Sequence, residues 1–158
     1  MKKSLLILGS LMCLSFGVAA ADEEEMRFHP GEFELSPFGT YIDKEGGKWG
    51  AGASLSYFIT DKIGVGATTY WADFGGTFFD NLAGEAYFRL PLFKIIAPYA
   101  VGGIGYEFET QEWFETLGLG VDFRPFKNIS AFGDVQYRFA NDSKDGVFLR
   151  LGVRLSVW

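Results

Sequence analysis

Nine side chains carry the chemical interest of this chain: Glu34, Glu85, Asp122 and Asp134, with Arg89, Arg124, Arg138, Arg150 and Arg154. Each falls on the polar parity of an alternating segment, so in an extended chain all would share one face. If that face is enclosed, the charges must pair, because an unpaired buried charge is very costly. Two outcomes are open: a salt-bridge network that plugs the interior and fixes register, or a narrow ion or solute path with a slight basic excess. Cross-strand contacts are expected between Asp134 or Arg138 and Arg150 or Arg154. Other chemistry is scarce. The only histidine is His29 and the only cysteine is Cys13, with no zinc or EF-hand spacing. Asn141 to Gly146 is oxygen-rich enough for calcium, but Asn, Asp, Ser and Gly are also what tight turns use. Gly102, Gly103 and Gly105 precede no helix, so they are not a nucleotide loop. No cofactor, metal or catalytic residue is expected.

The elements that would hold those charges are strands. From Gly31 onward the chain reads as eight segments of about ten to twelve residues, the length a tilted strand needs to cross a bilayer. They run from Glu32 to Ile42, Lys48 to Ile59, Ile63 to Asp73, Asn81 to Leu90, Pro98 to Glu109, Glu112 to Arg124, Ile129 to Ala140, and Val147 to Trp158. The last is the clearest. Val147, Leu149, Leu151, Val153, Leu155 and Val157 alternate with Phe148, Arg150, Gly152, Arg154, Ser156 and Trp158, a period of two. Connections are short and sequential, which predicts an antiparallel up-and-down eight-stranded β-barrel. Pro37 sits mid-segment, where it has no N–H for a ladder, so a bulge or locally open pairing is expected there. The fifth segment is apolar on both sides and its inward face stays open.

The start of the chain is of another kind. Met1-Lys2-Lys3, the apolar run Leu5 to Phe16 and the small residues Val18 to Ala21 read as a secretory signal peptide over residues 1–21, cleaved after Ala20 or Ala21. Cys13 would leave with it. Residues 22–30 form an acidic lead-in on the periplasmic side, expected to be mobile, and residues 31–158 the barrel. With 14 basic and 20 acidic residues, the balance argues against a nucleic-acid partner.

The aliphatic face can turn inward, as in a soluble lipocalin-type barrel, or outward to lipid. A soluble barrel wants an outer face rich in lysine and glutamate. Here the polar parity is mostly glycine, serine and threonine, which suits the narrow interior of eight strands. Aromatic placement agrees. Tyr41, Trp49, Trp71 and Trp113 share the aliphatic parity and fall at one rim, as in the girdle at a lipid–water interface. Tyr57, Tyr99 and Phe123 are expected near the other rim.

Phe33 to Tyr41, Pro98 to Tyr106 and the closing segment together resemble the small bacterial outer-membrane β-barrels of the OmpA/OmpX-like kind. The resemblance covers nearly the whole chain after the signal, but its motifs belong to barrels in general and to no single activity. It implies an integral protein of the outer membrane, with outer-membrane lipid and lipopolysaccharide as surroundings. It also implies recognition of the C-terminal strand by the barrel-insertion machinery. One departure stands out: Trp158 lies on the parity of Arg154 and Ser156, whereas such families place the final aromatic with the apolar residues. A bulge near the end would restore it. The hairpin Gln136 to Asn141 loosely resembles the lipid A deacylases, whose base and nucleophile fall where this chain has Phe139 and Asn141. Neither can do that work. A palmitoyltransferase of lipid A would also need a histidine at the outer rim. The expected role is therefore structural or interactive, through the connections Asp73 to Asp80 and Glu107 to Glu115. A narrow porin-like channel stands second, then a soluble lipid binder, then a lipid A-modifying enzyme.

Overall fold

The computed structural model describes residues 27–43, 47–72, 79–140 and 145–158. The expected signal peptide with Cys13, most of the lead-in, much of Asp73 to Asp80 and the Asn141 corner lie outside the described residues. Eight strands follow one another: β1 (Glu32–Ile42), β2 (Lys48–Phe58), β3 (Ile63–Ala72), β4 (Asn81–Arg89), β5 (Ile96–Glu107), β6 (Glu112–Phe123), β7 (Ile129–Ala140) and β8 (Gly146–Val157). Each pairs antiparallel with its sequence neighbours, and β8 pairs with β1 to close the barrel. Following the ladder round from Glu32, through Phe58, Gly64, Tyr87, Val101, Gly118, Gln136 and Phe148, leads to Ile42. The stagger thus spans the whole of β1, which requires strands well tilted from the barrel axis.

The alternation sorts by face as strand geometry demands. Leu35, Leu55, Val65, Leu119, Leu151 and Leu155 stand outside, with Leu119 and Leu151 68% and 70% exposed. Inside lie the charges, a set of serines and threonines, and eight packed apolar side chains, among them Phe38, Phe58, Tyr70, Tyr99 and Phe132. Tyr99 therefore belongs to the interior, not to the rim where the sequence placed it; Tyr57 and Phe123 are the exposed ones. Large rings fit so narrow a space because glycines face them. An added Cβ would stand 2.5 Å from the Phe38 ring at Gly52 and 2.8 Å from the Phe58 ring at Gly64, and Gly120 and Gly105 seat Tyr99 and Phe114 in the same way.

Three elements depart from the sequence reading. β5 begins at Ile96, so Pro98 is its third residue, and β5 ends at Glu107. Pro98 is tolerated because its carbonyl accepts from Leu90 N at 2.8 Å, which places its missing donor just past the end of β4. Only positions 108–111 remain as the β5–β6 connection, with Gln111 at a positive φ of 57°, so Glu107 and Glu112 to Glu115 of the expected connection belong to strands. Trp158 is not restored by a bulge. Phe33 pairs Val157 on the same register as the rest of the ladder, and Trp158 leaves the strand to stack on His29, with ring centroids 4.7 Å apart.

At Pro37 the β1–β2 ladder runs unbroken opposite Ala53. On the other side, Phe33 to Leu35 and Phe38 to Ile42 pair with β8 on one register, while Ser36 and Pro37 have no partner in that ladder. Asp43 N donates to Val147 O at 3.0 Å, so odd-numbered β1 residues aim their N–H groups at β8. Proline removes the donor on that side. The expected opening is present, and no residue is inserted.

The glycine seats make a direct prediction. Gly118→Ala would push a Cβ to 2.5 Å from the Val135 carbonyl and 2.5 Å from Gln136 Cγ, whereas Gly84 has nothing within 4 Å. Gly118→Ala should lower stability by about 1–3 kcal/mol, and Gly84→Ala should leave it unchanged or slightly raised. Denaturant midpoints of the two refolded variants check this.

Candidate functional site

Strand parity delivers the charged side chains to the interior, and the stagger of the ladders sorts them into three tiers along the axis. The lowest tier, at the end of the β2–β3, β4–β5 and β6–β7 turns, is built on Glu32 and Glu34 of β1. Arg89 donates to Glu34 at 2.8 Å and to Glu32 at 3.2 Å. Arg124 donates to Glu34 at 2.6 Å and also to Glu32. Arg154 reaches Asp122 at 2.9 Å and Glu34 at 3.5 Å. Phe28 closes this tier from below. Its ring lies 4.6 Å from each of the Arg89 and Arg124 guanidinium carbons, and Arg124 donates to the Arg27 carbonyl at 2.8 Å. Gly31, at a φ of 78°, supplies the turn between Phe28 and β1.

The middle tier centres on Arg150. It forks onto Asp134, Nε to Oδ1 at 2.8 Å and Nη2 to Oδ2 at 3.0 Å, and gives Nη1 to Glu85 at 2.9 Å. Two parallel bonds to one carboxylate fix angle as well as distance. The remaining lone pairs are taken by hydroxyls. Thr68 and Tyr87 donate to Glu85 at 2.6 and 2.5 Å, and Tyr99 donates to Asp134 at 2.7 Å. The upper tier is smaller. Arg138 donates to Glu107 at 2.7 Å and to the Tyr70 hydroxyl at 3.1 Å, and lies 4.0 Å over the Phe114 ring.

All nine charges singled out in the sequence thus stand inside, and of the contacts expected between β7 and β8 one forms. Asp134 meets Arg150 straight across the β7–β8 ladder. Arg154 turns to Asp122 and Glu34, and Arg138 turns to Glu107, so neither pairs across β7 and β8. Glu32 and Glu107 were passed over, and with them the slight basic excess disappears. The signal for Glu32 was available, since it shares the parity of Glu34. Tyr70 and Tyr87 likewise stand on polar parities. Phe28 had no such signal.

The aromatic set sits outside at the opposite, upper rim. Tyr41 and Trp49 face each other across β1 and β2 with centroids 5.0 Å apart, and Trp113 packs on Tyr106 at 5.2 Å. Trp71 lies opposite Ala51 near the same rim. Chemically, the arrangement holds charge and does not activate it. Every tier carboxylate is engaged by a guanidinium, and the Thr68, Tyr87 and Tyr99 hydroxyls donate to carboxylates. Phe139 points outward and His29 lies against Trp158 at the lower end. Among the described residues, no group of three or more His, Cys, Asp or Glu could hold a metal ion.

No protein-family model matches the chain, and no curated protein matches it. Solved structures do. The N-terminal β-barrel domain of Pseudomonas aeruginosa OprF is similar at a TM-score of 0.65 and 16% identity, over 81% of this chain and 98% of that one. OprG from Pseudomonas aeruginosa, an outer membrane protein, gives 0.58 and 13% over 84% and 99%. Ail, the attachment invasion locus protein of Yersinia pestis, gives 0.51 and 16% over 81% and 99%. At such identities the likeness is one of fold: the chain has the closed eight-stranded barrel of the small outer-membrane proteins.

The middle tier sets the second prediction. Arg150→Ala would strand Glu85 and Asp134 without their cation, so unfolding should become easier by about 3–5 kcal/mol. Adding Asp134→Ala to that variant should cost less than the two single changes summed. A coupling energy of at least ~1 kcal/mol in the resulting double-mutant cycle checks the pair.

Proposed function

We propose that this chain is an integral outer-membrane β-barrel with a structural or surface-interaction role, its lumen plugged by the three ion-pair tiers. The observation that carries the reading is the inverted distribution of polarity. Arg89, Arg124, Arg150 and Arg154 are at most 3% exposed, while most aliphatic residues of the strands form the outer surface. Each Å² of apolar surface left in water costs about 25 cal/mol, so the outside of this barrel calls for hydrocarbon. Its interior satisfies its own charges. Closure of β8 on β1 leaves no open edge for lipid to meet, which is the condition a strand protein must satisfy to span a bilayer.

On this reading the surroundings are outer-membrane lipid and lipopolysaccharide, and the Trp49 and Trp113 rim lies at one interface. The closing strand Val147 to Val157 presents the aliphatic row for the insertion machinery, with Trp158 off that row. Nucleic acid has no place in it, since acidic residues outnumber basic ones, 20 to 14. The short β5–β6 turn, positions 108–111, limits how much a surface partner could grip there. No catalytic residue is assigned.

A second reading, a narrow path for ions or small solutes, draws on one observation. Asp122 Oδ1, Ser130 Oγ and Ser156 Oγ, grouped around Arg154, are buried and make no hydrogen bond among the described residues. Such atoms suit a file of water through the lower tier. Planar-bilayer recordings separate the two. The plug predicts no steady conductance from the wild type and none from Arg150→Ala, because two further tiers remain. A path predicts wild-type conductance whose ion preference changes in Arg150→Glu. Localisation is tested by fractionation and by heat-modifiable migration in detergent gels; recovery in the periplasm as a soluble protein would overturn the reading.

A further inference from the structure

A short stretch of chain that is not a strand crosses the lower mouth of the barrel. Gly31 N donates to Phe58 O at 2.7 Å, which ties the stretch to the end of β2. Four residues earlier, Arg27 donates to the carbonyl of Arg124 at 3.1 Å and to that of Pro125. Arg124 returns a bond to the Arg27 carbonyl at 2.8 Å. One end is thus fixed beside β1 and β2, the other at the β6–β7 turn. Between these ties Phe28 is buried over Arg89 and Arg124, which have no exposed surface of their own. An aromatic face within about 6 Å of a guanidinium attracts it, so the ring both covers and holds the two cations.

This strap can move without the sheet. Residues 27–30 belong to no ladder, so no strand pairing breaks when they lift. Gly31 is the hinge: its φ is 78°, and an added Cβ there would meet nothing within 4 Å. A further fastening comes from the other end of the chain. Trp158 leaves β8 after Val157 and stacks on His29, with ring centroids 4.7 Å apart. Since β8 and β1 are the closing pair, the stack forms only once the cylinder is complete. On the aliphatic parity the Trp158 ring would face outward; past the end of its strand it reaches the mouth instead.

We propose that Arg27 to Gly31 form a latch that swings about Gly31, closes the lower mouth of the barrel and is held shut by Trp158. Lifting it opens the Arg89 and Arg124 guanidinium faces to the water at that end, while the Arg150 tier stays closed above them. The inference rests on the plugged-lumen reading and gives the plug a movable lower cover. Both chain ends serve that cover, one as the strap and the other as its catch.

Thiol access in the full chain folded in detergent tests it, with Cys13→Ser as the cysteine-free background. Ser156→Cys reports on the lowest tier, because Ser156 is buried opposite Glu34 and its Oγ makes no hydrogen bond among the described residues. Ser54→Cys reports on the level above, where Ser54 is buried opposite Thr68. A water-soluble anionic methanethiosulfonate should label both slowly. Phe28→Ala should speed labelling of Ser156→Cys by about tenfold or more, since local opening then loses its main resistance. Trp158→Ala should speed it by about threefold, and Trp158→Phe should bring back the slow rate. Ser54→Cys should stay slow throughout, while heat-modifiable migration reports that each barrel is folded. Fast labelling of Ser156→Cys with Phe28 in place, a rate indifferent to Phe28 or Trp158, or an equal rise at Ser54→Cys would overturn the latch. Steady wild-type conductance with Ser156→Cys still protected defeats the plug reading and leaves the latch; a silent barrel with Ser156→Cys unprotected defeats the latch alone.

Discussion

A guanidinium enclosed in a barrel of eight strands has few places to put its charge, and that constraint governs the rest of this structure. Arg89, Arg124, Arg150 and Arg154 are each surrounded by carboxylates contributed from other strands. The pairs therefore act as cross-ties between strands that the ladders join only at their edges. The Glu34 carboxylate alone receives Arg89 of β4, Arg124 just beyond β6 and Arg154 of β8. A slip of one strand by one residue would turn that strand's charges outward and bring its apolar residues in. Ion pairs of this kind add little net stability over a well-packed apolar core, but they penalise every alternative register heavily. Their contribution is to choose one barrel.

How much of this was legible beforehand depends on whether a feature is local. Strand parity is local, so the eight strands, the closing order and the inward placement of the nine charges could be read from alternation. The partners of those charges depend on the stagger around the barrel, a property of closure that no single segment encodes. Arg154 was expected to meet Asp134 or Arg138 on β7 and instead reaches Asp122 and Glu34. Tyr99 was sent to a rim because β5 is apolar on both sides, and only the Asp134 carboxylate reveals why its hydroxyl turns in. Phe28 lies before the first strand, outside any alternation, and its place between two arginines follows only from the Gly31 turn and the open end above it.

The interior also explains the glycine content in physical terms. Small residues were expected because eight strands leave little room, which is true but incomplete. Gly52, Gly64, Gly105 and Gly120 are each covered by a ring from a neighbouring strand. The rings in turn flank the arginines: Phe58 lies 3.7 Å from the Arg89 guanidinium carbon and Phe132 4.3 Å from that of Arg154. Glycine, ring and guanidinium thus form a repeated stack, and the lumen is filled by that stack as much as by the ion pairs.

The missing rung at Pro37 gives the cylinder a seam. β1 and β8 meet across the longest sequence separation in the chain, so their zippering carries the largest loop-closure entropy and tends to come last in folding. A gap of two residues in that ladder divides it into two short runs, Phe33 to Leu35 and Phe38 to Ile42, that can detach one at a time. Amides of β8 on either side of Val153 should then exchange with solvent sooner than those of the unbroken β1–β2 hairpin. The barrel would part along this line before any other, and the first strand, carrying both Glu32 and Glu34, would take the anchors of the lowest tier with it.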